Sequence, residues 1–154
     1  MVGRGVMLEC LDHNDITDVL CIVRKPLEES HAKLKQLSLE DFSDFTPVKD
    51  QLTGFDACYH CMGVSAARLN EAQYTHMTYN FSMALAKALF EISPEMTFIY
   101  VSGVGTDSTE KSRQMWARVK GKTENDILKL GFKNAFMYRP GAIVPLRGIK
   151  SRTA

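Results

Sequence analysis

A doubly wound parallel α/β sheet is the fold class this sequence predicts. Short β-branched apolar runs alternate along the chain with longer amphipathic stretches, and no repeat, low-complexity tract or linker interrupts the alternation. Strands separated by helices pair in parallel through right-handed crossovers. With 154 residues, 45% of them hydrophobic and 24% charged, residues 1–154 are expected to form a single domain. A chain of this size buries roughly 70% of its unfolded surface and needs neither disulfide nor metal to hold it.

The elements follow in order. Val2 to Leu11 reads as a helix with Val6, Met7, Cys10 and Leu11 on one face, and Asp15 to Asp18 as a polar turn. Val19 to Val23 is a continuous apolar run of the kind buried in a parallel sheet, ended by Arg24-Lys25-Pro26. Leu34 to Leu39 alternates as a more exposed strand, Thr46 to Leu52 reads as a short helix, and Phe55 to Met62 as a third strand ended by Gly63. From Asn70 to Ile92 the apolar positions Tyr74, Met77, Phe81, Leu85 and Leu89 keep helical spacing. Met96 to Val101 is a strand running into the polar loop Ser102 to Thr109; Glu110 to Leu130 is a helix; Asn134 to Tyr138 is the last strand. The order opens on a helix where such folds open on a strand. It ends on Arg147 to Ala154, basic and small residues with no finishing element.

Composition narrows the function classes. Nineteen Lys and Arg against eighteen Asp and Glu give a net charge of +1, without the basic excess of a nucleic-acid binder. No apolar run approaches the ~18 residues of a membrane span, and acids fall too early for a secretory signal. The expected location is therefore cytoplasmic. The cysteines Cys10, Cys21, Cys58 and Cys61 have no framework spacing, as for reduced thiols. Cys58 and Cys61 spell C-x-x-C, but in a strand positions three apart face opposite sides and cannot grip one ion, so no metal site is expected. His13, His31, His60 and His76 read as structural or surface residues.

Ligands of open α/β sheets sit at the carboxyl ends of strands, which here are Arg24-Lys25, Asp41, Gly63-Val64-Ser65, Ser102-Gly103 and Arg139-Pro140-Gly141. In a dinucleotide site Arg24 and Lys25 would favour a ribose 2′-phosphate; taken alone, a solvated pair is the stronger reading. Gly3 and Gly5 at the head of the first helix allow a pyrophosphate to approach the helix N-terminus, a weak signal without further glycines. Trp116 and Lys120 stand four apart on one helix face, within reach of Ser102 at a strand end. A packed Trp beside a surface Lys is the plain alternative.

Together these stretches resemble the atypical short-chain dehydrogenases/reductases, the NAD(P)-binding Rossmann-like proteins described as epimerase/dehydratase-like or NmrA-like. The resemblance is carried by VGRGVMLECL, VLCIVRKP, LEDFSDF, FDACYHCMGVS, TYN, FIYVSGVGTDS, MWARVKGKTEN and FMYRPG, in the family's order. It implies an NAD(P)-dependent oxidoreductase acting on a small carbonyl or sugar-like substrate, with NADP, or else NAD, as cofactor. It implies a partial domain lacking the usual first strand and its glycine turn, as a start codon placed one element late would produce, and a loss that favours pairing with another chain. By position, Gly3 would face the pyrophosphate, Arg24 and Lys25 the 2′-phosphate, Asp41 and Phe42 the adenine, and Gly63 the cofactor. Ser102 would orient the substrate carbonyl, Lys120 the nicotinamide ribose, and Pro140 and Gly141 the nicotinamide end. Trp116 takes the place of the catalytic tyrosine. Its indole does not titrate in the useful range, which leaves open an alternative: a non-catalytic dinucleotide sensor or partner-binding protein.

Overall fold

The computed structural model describes residues 1–149; the last four residues of the basic tail read above, with Lys150, lie outside them. Among the described residues every strand pairing is parallel, and they divide into two compact units: residues 1–41 with 144–149, and residues 42–143.

In the first unit, α1 (Val2–Asp12) precedes β1 (Val19–Val23) and β2 (Leu34–Ser38), so the element order indeed begins on a helix. Met7 and Leu11 form the buried face of α1. Arg147 pairs with Glu9 at 3.0 Å and Asp12 at 2.6 Å. β1 and β2 pair in register from Val19↔Leu34 to Val23↔Ser38. Every residue of β1 is only half-buried, although its apolar run suggests full burial. The reason is pairing: among the described residues β1 bonds to β2 alone, and a run of this kind is buried on both faces when it lies inside a wider sheet. Cys10 and Cys21 are half-buried thiols, raised above their ordinary values by burial.

The second unit carries a three-stranded sheet, β3 (Ala57–His60), β4 (Thr97–Val101) and β5 (Asn134–Tyr138), with β4 central. Thr46–Leu52 is a 3-10 helix with Pro47 near its start. The helical stretch predicted over 70–92 is α2 (Glu71–Thr75), one π turn (His76–Asn80) and α3 (Phe81–Ile92). Asn70 and Gln73 close a reciprocal capping box at its head, each side chain bonding the other's backbone N–H. The π turn interrupts the ladder next to Ser82, whose hydroxyl donates to the Thr78 carbonyl at 2.5 Å. One sheet face is core: Phe98 and Tyr100 are essentially inaccessible, and the buried His60 ring stacks on Tyr100 at 5.6 Å.

The last helix, α4, runs Met115–Leu130 rather than from Glu110. Glu110 stands at φ +62°, outside helical backbone, in a loop that Asp107 closes. The Asp107 carboxylate accepts from the backbone N–H groups of Thr109, Lys111 and Ser112 and from the Thr109 hydroxyl, at 2.6–2.9 Å, so residues 107–112 close into a loop instead of a first turn. These bonds hold the Asp107 carboxyl down at about 2.

Candidate functional site

The carboxyl end of β4 is where α4, β5 and the loop 102–113 converge. Hydrogen bonding between β4 and β5 continues past both strands: Ser102 N–H donates to the Tyr138 carbonyl at 2.8 Å and Val104 N–H to the Pro140 carbonyl at 3.0 Å. The loop is pressed onto α4 at Gly121, where a Cβ would lie 1.8 Å from the Asp107 carbonyl oxygen, so only glycine fits. Gly105, at φ +85°, lies under the indole of Trp116, and a Cβ there would meet the ring at 3.0 Å.

Ser102 is the hub of this end. Its backbone carbonyl accepts from the Lys120 ammonium at 2.6 Å, and its hydroxyl donates to Glu124 Oε1 at 2.5 Å. Arg139 closes the arrangement from just beyond β5, donating from Nε to Glu124 at 3.0 Å and pairing with the same carboxylate through its terminal nitrogen. Arg139 also donates to the Ser108 hydroxyl of the loop at 2.5 Å. Glu124 is 2% exposed, and its charge is tolerated only because these donors converge on it. Burial lowers the Lys120 ammonium below its ordinary range, while Glu124 acts to raise it.

The geometry thus brings Ser102 and Lys120 together, as the spacing suggests, and packs Trp116 of the same helix against Gly105 of the loop. It also reassigns the serine proton. That proton is committed to Glu124, so orienting a substrate carbonyl with it would require breaking a buried bond. Pro140 acts through its backbone carbonyl, whereas Gly63 and Gly141 are exposed, with open space where a Cβ would be. Phe42, expected at the adenine, is 9% exposed and packs its ring against Phe45 and Phe81, which makes it a core side chain. In the first unit Gly3, Arg24, Lys25 and Asp41 are all exposed.

Sequence reasoning passed over Glu124 and gave Arg139 no role. The signal was present: Glu124 falls on the helix stripe Ala117, Gly121, Ile127, where an acid breaks an otherwise small and apolar face. His60, read as structural or surface, is buried and bonds Ser82 Oγ through Nε2 at 2.8 Å. Loss of hydration pushes it down to about 4. Among the described residues no cluster of His, Cys, Asp and Glu gathers as a metal site, and no helix is long and apolar enough to cross a membrane.

Parallel strands joined by helices, with polar groups gathered beyond the end of β4, define the class: a Rossmann-like α/β fold. A solved structure shares it, that of a short chain dehydrogenase family protein from Francisella tularensis subsp. tularensis SCHU S4, at 16% identity and a TM-score of 0.58, over 84% of this chain and 60% of that one. In sequence the chain is similar to "Protein FMP52, mitochondrial" of Candida albicans, 30% identical over 148 residues, covering 94% of this chain and 63% of the relative. The Debaryomyces hansenii protein of that name is 26% identical over 149 residues, and the Emericella nidulans one 25% over 154, each match covering 96% of this chain and 64% of the relative. The chain therefore spans somewhat under two thirds of the length of these curated relatives. It matches no protein-family model. The relatives' names overturn the expectation of a cytoplasmic location. That expectation rested on the missing secretory signal, which excludes one destination without selecting another.

Proposed function

We propose that this chain is the dinucleotide-binding part of an NAD(P)-dependent oxidoreductase of the atypical short-chain dehydrogenase type, acting in the mitochondrion on a small carbonyl or sugar-like substrate. The observation that carries the reading is the Lys120 ammonium held at 2.6 Å on the Ser102 carbonyl, at the carboxyl end of the central strand of a parallel sheet. A cation fixed there supports the reading, because it would donate to the ribose hydroxyls of a bound dinucleotide. The nicotinamide, when bound, supplies the hydride. Arg24 and Lys25 support a preference for NADP, since cations beside a ribose attract a 2′-phosphate. The mitochondrial names of the relatives support the location.

Calorimetric titration of the full chain with NADPH and with NADH tests this. Saturable binding, stronger for NADPH and weakened at least tenfold by Lys120→Met, is the expected result. Absence of heat with both nucleotides would overturn it. A second reading, a dinucleotide sensor without turnover, is favoured by the indole at position 116, which cannot pass a proton. NADPH oxidation by the unmodified chain with a small-carbonyl panel would sink the sensor reading; turnover appearing only in Trp116→Tyr would support it.

A further inference from the structure

Glu124 is the group that the proposed reading does not use. It lies one helical turn beyond Lys120, and the two side chains hold Ser102 from opposite ends, Lys120 on its carbonyl and Glu124 on its hydroxyl. A buried carboxylate is expensive, and the cost is met here by Ser102 and Arg139 together. We propose that Glu124 is a positioning residue for Lys120: it fixes the Ser102 platform on which the ammonium rests and supplies the counter-charge one turn away, where a dinucleotide ribose would be bound. This rests on the dinucleotide reading above.

Charged groups face the pair from the helix, the strand end and the loop. On α4 itself, Glu124 is the charge that acts on Lys120, opposing the effect of burial. Just beyond β5, Arg139 faces the carboxylate, and Asp107 of the loop also acts electrostatically on Arg139. The remaining partners, Ser102 and Ser108, are neutral. Removing the Glu124 charge therefore leaves a half-buried ammonium without its counter-charge. Removing Arg139 leaves the carboxylate less neutralised and strengthens its hold on Lys120.

The experiment follows the Lys120 ammonium directly, by the pH titration of lysine side-chain carbons in nuclear magnetic resonance, with the Lys120 signal assigned by its disappearance in Lys120→Arg. Glu124→Gln should lower the midpoint by on the order of one pH unit, whereas Arg139→Gln should raise it or leave it in place. The alkaline limit of NADPH affinity should move by the same amount and in the same directions. A midpoint equal in wild type and Glu124→Gln, or weakened NADPH binding with no movement of the alkaline limit, would overturn the proposal and leave Glu124 merely structural. Should Glu124→Gln fail to fold, Glu124→Asp keeps the charge and must keep the midpoint, and Arg139→Gln must still not lower it; a drop in either overturns the proposal. The two readings fail separately. An unshifted midpoint with normal NADPH binding defeats only the Glu124 proposal; a shifted midpoint with no NADPH binding at any pH defeats the dinucleotide reading and the ribose-binding purpose assigned to the pair.

Discussion

The carboxyl ends of β1 and β4 hold their cations in opposite states. Beyond β1, Arg24 and Lys25 are exposed, and among the described residues neither forms an ion pair. At β4, Lys120 rests on a backbone carbonyl and Arg139 on a buried carboxylate, with Ser102 joining the two. The difference separates two uses of positive charge. Cations fixed by their own chain are part of the fold and present a rigid surface at no further ordering cost; cations left in water add little to stability and keep their charge for a ligand.

The sharpest way to break the β4 end is to lift the loop off α4. Gly121→Ala drives a Cβ into the Asp107 backbone, where no side chain can give way, and should cost at least about 3 kcal/mol in thermal or urea unfolding. A neutral outcome would mean that the loop is not seated as described. The pH dependence comes next. The His60 value of about 4 in the folded chain lies below its ordinary 6.5, so as pH falls the unfolded chain takes up the proton first. Stability should be full above pH 6.5 and decline by about 3 kcal/mol between pH 6.5 and 4, and His60→Gln should remove that slope.

Smaller effects sharpen the comparison. Ser102→Ala takes a donor from the buried Glu124 carboxylate and should cost about 2 kcal/mol in urea unfolding. Arg24→Ala and Lys25→Ala should stay within about 0.5 kcal/mol of wild type in stability. Both should nevertheless reduce the preference for NADPH over NADH about tenfold, the equivalent of one lost charge-assisted contact. Equal stability losses at both strand ends would erase the distinction between them.

Much of the fold is legible in the sequence where local chemistry and tertiary structure agree. Val19–Val23 and Asn134–Tyr138 stand where the apolar runs place them, because Arg24-Lys25-Pro26 and Arg139-Pro140-Gly141 end them sharply. Thr46–Leu52 is helical as read, though wound as a 3-10 helix. Periodicity misleads where a side chain competes with the backbone. Glu110 itself turns to φ +62° in the loop that the Asp107 carboxylate closes, so no helix begins there, and the Ser82 hydroxyl caps a carbonyl beside the π turn that the even spacing of Tyr74, Met77 and Phe81 conceals. The site is half legible for a related reason. Ser102 and Lys120 show in strand-end position and helical spacing, but the carboxylate that ties Ser102 to Arg139 lies on a helix whose one other acid, Asp126, pairs with Lys122 and Lys129. Only burial tells Glu124 from Asp126, and burial is a property of the fold.

The single tryptophan offers the decisive reading, because Trp116 lies against Gly105 of the loop that leaves β4, on the same helix as Lys120. NADPH titrated into the full chain should quench its emission saturably, more strongly than NADH does, and Lys120→Met should abolish most of the response. Unchanged emission with both nucleotides, from a chain whose unfolding transition is cooperative, would contradict the assignment of the β4 end as a dinucleotide site.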